Sequence, residues 1–145
     1  MAAALIVASA SLPQAVAITA TEPLGDFNPG SFTASGGITD SGVYQLLEDR
    51  DVAVPSPIVG TSHFIFSLAG IQGTIILKGE TVFRLVSAIP LILREDGSWL
   101  IVDGTGAYAE LSGEGQFHKL VDVSLVEDRV HVGCRAAKHV GTIGS

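Results

Sequence analysis

The run from Gly104 to Phe117 constrains the fold of this chain more than any other stretch. Within it, Tyr108 and Leu111 stand three apart between two glycine pairs, Gly104 with Gly106 and Gly113 with Gly115. Glycine tolerates positive φ and close backbone approach, so the segment reads as a tight corner between strands. Tyr108 and Leu111 are then the plug that packs this corner onto a core. Such a corner belongs to a small, closed or nearly closed β-barrel.

The rest of the chain agrees with that reading. Turn residues cut it into short strands: Ser31–Ser35, Val43–Leu47, Thr61–Leu68 and Thr74–Lys78, the last running on past Gly79 to Val86. Gly36 and Gly37 are expected to bend the first of these, and Thr39–Gly42 to turn the chain into the next. Glu48–Asp51 reads as a charged tip, with Pro55 and Pro57 excluding a central strand beside it. Asp96-Gly97, between apolar runs, predicts a hairpin joining Leu91–Leu93 to Trp99–Val102. Gln116–Val121 and Val130–Cys134 supply the last strands, while Val123–Leu125 either pairs or loops. The expectation is an all-β fold, an antiparallel barrel of about eight strands, with an apolar N-terminal extension.

Composition narrows the partners. A chain of 145 residues with 47% hydrophobic and 16% charged residues is one ordered domain with a core of its own. Its net charge of -7, with 8 scattered Lys and Arg, argues against a nucleic-acid surface. The lone Cys134 excludes an intramolecular disulfide and a Cys-rich zinc site. The four histidines lack metal-ligand spacing, so neither a metal nor a cofactor is expected.

Residues 1–20 form a signal-like or N-terminal covering segment ahead of a single barrel domain over 21–145. An apolar run precedes Ala15-Val-Ala17, as in a secretory leader, but no Lys or Arg comes before it. If residues 1–17 are a signal peptide the protein is secreted or periplasmic; otherwise it is cytoplasmic. The run is too short for a membrane span.

Alternation then assigns faces. Phe64, Phe66 and Leu68 share one parity, and Phe83 shares another strand's apolar parity with Ile75 and Leu77. Glu80 and Arg84 fall on the opposite parity of that strand, and His118 alternates with Phe117 and Lys119. The sequence leaves two readings of these polar groups. They are a solvated exterior, or they line a ligand cavity where Glu80, Arg84 and His118 supply acid, base or anion stabilisation. Phe64, Phe66, Phe83, Trp99, Tyr108 and Phe117 are the candidate ligand-binding residues.

The segment from Trp99 to Gly115 resembles the W-x-I-x-x-G-T-G-x-Y-A-x-L-x-G-x-G signature of allene-oxide-cyclase-like barrel proteins, a superfamily that includes dirigent proteins. Gly30–Gly42 and the pair Gly60–Phe66 and Gly73–Gly79 resemble its first and middle hairpins. The resemblance implies an eight-stranded antiparallel barrel with a mostly hydrophobic lumen. The matching residues are corner glycines and packing apolars, which specify fold and not chemistry. The leading functional expectation is a barrel that binds a hydrophobic small molecule in its lumen. The alternatives are a cyclase or isomerase that folds a flexible polyene or oxylipin-like substrate, and a packed structural barrel without a ligand. Association into a homodimer or homotrimer is expected on the same resemblance.

Overall fold

Eight antiparallel strands pair in chain order and close on themselves in the computed structural model, which describes residues 13–22, 29–56, 59–126 and 129–144. The strands are β1 (Gln14–Glu22), β2 (Gly30–Gly36), β3 (Asp40–Ser56), β4 (Val59–Gly70), β5 (Thr74–Ala88), β6 (Leu91–Gly104), β7 (Ser112–Val126) and β8 (Arg129–Gly144). Closure is made by β1, which pairs with both β2 and β8. It leaves no strand edge among these elements to template aggregation. The all-β barrel expected from the sequence is therefore the fold.

Several boundaries differ from expectation. The barrel begins at Gln14, ahead of the expected boundary at Thr21, and Ala15-Val-Ala17 lies inside β1. Residues 1–12 lie outside the described residues. The first turn sits at 37–39, with Gly36 at φ +94° ending β2 and Asp40 already opening β3.

The charged tip expected at Glu48–Asp51 is strand backbone inside β3, paired with β4 as far as Ser56. Register shifts flank Glu48, Ala53 and Ser56, and Pro55 falls in the last of them, where no ladder N–H is required. Pro57 lies outside the described residues. Val123–Leu125 is a paired part of β7, and the last strand runs ten residues beyond Cys134, to Gly144.

The hairpin expected at Asp96-Gly97 is not there. Both residues pair within β6, and the chain reverses at Ile89-Pro90, between β5 and β6. Gly97 is used for close approach, because a Cβ there would collide with the Glu80 carbonyl on β5. Asp-Gly is a turn signal in isolation, but here it serves two faces of one strand.

Burial alternates along each strand and defines the interior. Val16, Ile18, Phe32, Tyr44, Phe66, Leu68, Leu77, Trp99, Phe117 and Ile143 belong to one buried cluster. This cluster fills the part of the barrel nearest the β6–β7 corner.

Candidate functional site

The corner itself is a plug. A single 3-10 turn, Gly106–Tyr108, joins β6 to β7 and drives the Tyr108 ring into the core cluster, where Leu111 packs beside it. Gly106 adopts φ +61°, a conformation that disfavours side chains with a Cβ. The Tyr108 hydroxyl donates to Asp40 Oδ2 at 2.5 Å, tying the corner to the start of β3. Asp40 also accepts the backbone N–H groups of Ser41, Ile71 and Gln72. The Tyr108 bond and these amides hold the Asp40 carboxyl down at about 2, against the opposing effect of desolvation. Burial, with the neighbouring carboxylate, pushes the Tyr108 phenol up. Tyr108, a candidate ligand contact by sequence, is thus committed to closing one end of the barrel.

Beyond the plug lies an aromatic layer. Tyr44 and Phe66 stack with centroids 5.4 Å apart, and Phe64 stacks on Phe66 at 5.6 Å. Trp99 donates its indole N–H to the Gln116 carbonyl at 2.9 Å. His139 sits in this layer at 0% exposure, 4.8 Å from Phe117 and within ring contact of Tyr44, Phe66 and Trp99. Neither ring nitrogen makes a well-formed hydrogen bond among the described residues, the Ile18 backbone offering only a weak one. Burial, reinforced by the positive charge of Lys119, lowers its pKa to about 3, and the Ile18 backbone offsets this in part. His139 is therefore neutral at physiological pH.

The interior changes character again past this layer. Ser62 pairs across the ladder with Thr81, and Glu95 pairs with Lys119, all four inward-facing and buried. Thr81 Oγ1 has no partner among the described residues. The Lys119 ammonium rests over the rings of Phe64 and Phe66, 5.5 and 6.0 Å from their centroids, and among the described residues it makes no ion pair. Along β5 the inward parity is buried from Ile75 to Thr81, then half-buried at Phe83, Leu85 and Ser87. Leu93 on β6 is half-buried too. On β5 and β6 the wall thus becomes more exposed toward the Ile89-Pro90 hairpin, opposite the plug, while Val121 on β7, paired with Leu93, stays buried.

The structure places the sequence-derived candidates in two groups. Phe64, Phe66, Trp99, Tyr108 and Phe117 are buried in the core, and Phe83 faces inward at half burial. Glu80, Arg84 and His118 are on the outer wall. The reading in which they line a cavity is corrected by their exposed parity on β5 and β7.

These three do come near one another outside. Asp96 Oδ1 is 2.6 Å from His118 Nδ1, Asp96 Oδ2 is 2.9 Å from Arg94 Nε, and Arg84 approaches the same carboxylate at 3.4 Å. The His118 bond leads in lowering the Asp96 pKa, helped by Arg94. Glu80 pairs instead with His63, at 3.3 Å, in the cross-strand row next to Asp96. A depression of about 480 Å3 runs along this wall, lined in part by His63, Glu80, Asp96, Ser98 and Gln116.

Sequence reasoning missed His139, Lys119, Glu95, Thr81 and Ser62 as interior polar groups. Their signal was parity: Lys119 alternates with His118 on the Phe117 face, and Glu95 shares the parity of Trp99. Reading 94–97 as a turn and ending the last strand at Cys134 hid Glu95 and His139 from that count.

Among the described residues no group of three or more His, Cys, Asp or Glu could hold a metal ion, and no helix is long and apolar enough to cross a membrane. Comparison of this chain with family models, curated proteins and solved structures finds no match.

Proposed function

We propose that this barrel binds a hydrophobic small molecule in its lumen, admitted at the β5–β6 end. One observation carries the reading. The interior is plugged by Tyr108 and Asp40 at one end, and its β5 and β6 walls lose burial through Phe83, Leu85 and Leu93 toward the other. A barrel of eight strands has room for side chains or for one small ligand. The gradient favours the second use at the less covered end. Phe83, Phe64 and Phe66 would supply apolar contact there, with binding driven by burial of the ligand's surface.

The resemblance to allene-oxide-cyclase-like barrels supports the same location for a ligand. It keeps a cyclase or isomerase as the second reading. The inward Glu95, Lys119 and Thr81 favour that reading over the outward Glu80, Arg84 and His118, because groups that act on a lumenal substrate must face it. Exposed Val82, Val86, Leu100 and Val102 on β5 and β6 support association into a homodimer or homotrimer, and sedimentation velocity would test it. An exported location is proposed from the apolar N-terminal run alone.

The single tryptophan, Trp99, gives a direct assay of the leading reading. Titration with apolar aromatic probes is expected to change its fluorescence saturably, and Phe83→Glu to abolish that change while the fold is retained. Absence of saturable binding by any apolar probe would leave the packed structural barrel.

A further inference from the structure

We propose that Lys119 captures an aldehyde or ketone group of the lumenal molecule as an imine, which makes the ligand class an apolar carbonyl compound. The proposal rests on the lumenal reading above and deepens it. Lys119 is 6% exposed, points inward from β7 and reaches across to the β4 wall, with its amine over Phe64 and Phe66. Among the described residues this amine has no carboxylate within ion-pair range, only the two ring faces, so its nitrogen is left available to a molecule in the lumen. Glu95, opposite Lys119 in register, makes no ion pair with it.

The surroundings fit an addition to a carbonyl. Phe64 neighbours Ser62 on β4, and Ser62 is paired with Thr81, whose hydroxyl is buried and has no partner among the described residues. That hydroxyl is a donor for the oxygen of an incoming carbonyl. Phe83, Glu95 and Lys119 pair successively across β5, β6 and β7, with half-buried Phe83 and Leu85 on the approach. Lys119 thus stands in the same cross-strand row as half-buried Phe83, where the β5 wall begins to lose cover.

In the step, the neutral form of the Lys119 amine adds to the carbonyl carbon, forming the N–C bond. The carbonyl oxygen takes up protons and leaves as water, and the nitrogen ends doubly bonded to carbon. One amine and one carbonyl give one imine and one water, with no change of oxidation state.

The chain carries its own controls, because Lys78 and Lys138 are outward and exposed. The experiment incubates the full chain with cinnamaldehyde at mildly alkaline pH, reduces with borohydride, and maps the adduct by mass spectrometry. The expected result is one dominant adduct on Lys119, at least tenfold above Lys78, Lys138 and the N-terminal amine. Lys119→Arg, which keeps the positive charge over the rings but cannot form the imine, is expected to lose it. Labelling spread over the amines as in urea-denatured protein would overturn the proposal.

Cinnamyl alcohol separates this failure from failure of the lumenal reading. If the alcohol saturably changes Trp99 fluorescence while the aldehyde leaves Lys119 unlabelled, the imine falls and the lumenal site stands. If neither compound engages the protein, both fall.

Discussion

The two ends of this barrel handle buried polarity in opposite ways. At the plugged end the Asp40 carboxylate accepts a phenol and three backbone amides, so the polar groups there satisfy one another. Toward the other end, among the described residues, the Thr81 hydroxyl is buried without a hydrogen-bond partner and Lys119 is a buried residue without an ion pair, and His139 lies between the two regions with neither ring nitrogen in a well-formed hydrogen bond. Buried polar groups are normally hydrogen-bonded, because leaving one unmade costs about 1–3 kcal/mol. The first arrangement is what stability alone would select. The second persists at a cost, which is why function is sought there.

The largest test of this contrast compares two phenylalanines. Phe66 is fully buried and touches Tyr44, Phe64, Phe117 and His139. Phe66→Ala is expected to lower the stability measured by urea denaturation by about 3–5 kcal/mol, the cost of a cavity in a close-packed layer. Phe83→Ala, on the half-buried wall, is expected to cost less than half as much. Equal losses would mean that the lumen is as tightly packed at Phe83 as at Phe66, and the distinction between the ends would fail.

His139 gives a second, pH-dependent test. Its pKa is lowered from 6.5 to about 3 in the folded protein. Above the higher value neither state binds the proton, and the ring adds no pH dependence. As pH falls from 6.5 toward 3 the unfolded chain takes up a proton that the folded ring refuses, so stability is lost over that window. At 1.36 kcal/mol per pKa unit the loss is roughly 5 kcal/mol at most. His139→Leu is expected to flatten the slope between those pH values in a series of urea melts. An unchanged slope would show that other groups carry the acid sensitivity.

Much of the fold was legible because glycine and aromatic residues mark corners and cores by local sterics. The Gly104–Phe117 corner could be read without knowing its partners, since its paired glycines and the Tyr108–Leu111 spacing mark it locally, although Gln72, Thr74 and Asp40 complete its bonding. The Asp96-Gly97 hairpin failed for the opposite reason. Gly97 is required by the approach of the Glu80 carbonyl, a contact between strands that no local pattern encodes. The site suffered most from this error. Once 94–97 is read as strand, Glu95 takes the parity of Trp99 and turns inward, and Asp96 turns outward to meet His118.

A third test addresses the plug. Tyr108→Phe removes the hydroxyl and leaves the ring, so packing is kept while Asp40 loses its strongest partner. The expected loss is about 1–3 kcal/mol near neutral pH, the range for a part-buried bond to a charged group. Asp40 has a folded pKa lowered from 3.8 to about 2, so this contribution is present above 3.8 and disappears as pH falls through 2. The wild type and Tyr108→Phe should therefore converge in acid, at lower pH than the window in which His139 acts. A difference that persisted below pH 2 would assign the effect to packing.

The smallest effect is expected on the outer wall, and it decides whether the polar residues first noticed in the sequence matter to the fold. Asp96 joins Arg84, Arg94 and His118, but those side chains are 59%, 47% and 52% exposed. Ion pairs in such surroundings contribute about 0–1 kcal/mol, since water screens them and long side chains lose entropy on pairing. Asp96→Asn is accordingly expected to change stability by less than about 1 kcal/mol, with any loss shrinking as salt is raised. It should leave lumenal probe binding untouched, because Asp96 and the inward residues lie on opposite faces of β6. Probe binding that fell with Asp96→Asn while Phe83→Glu left it intact would move the ligand from the lumen to the depression beside His63 and Glu80, reversing the assignment of inside and outside on which the functional argument depends.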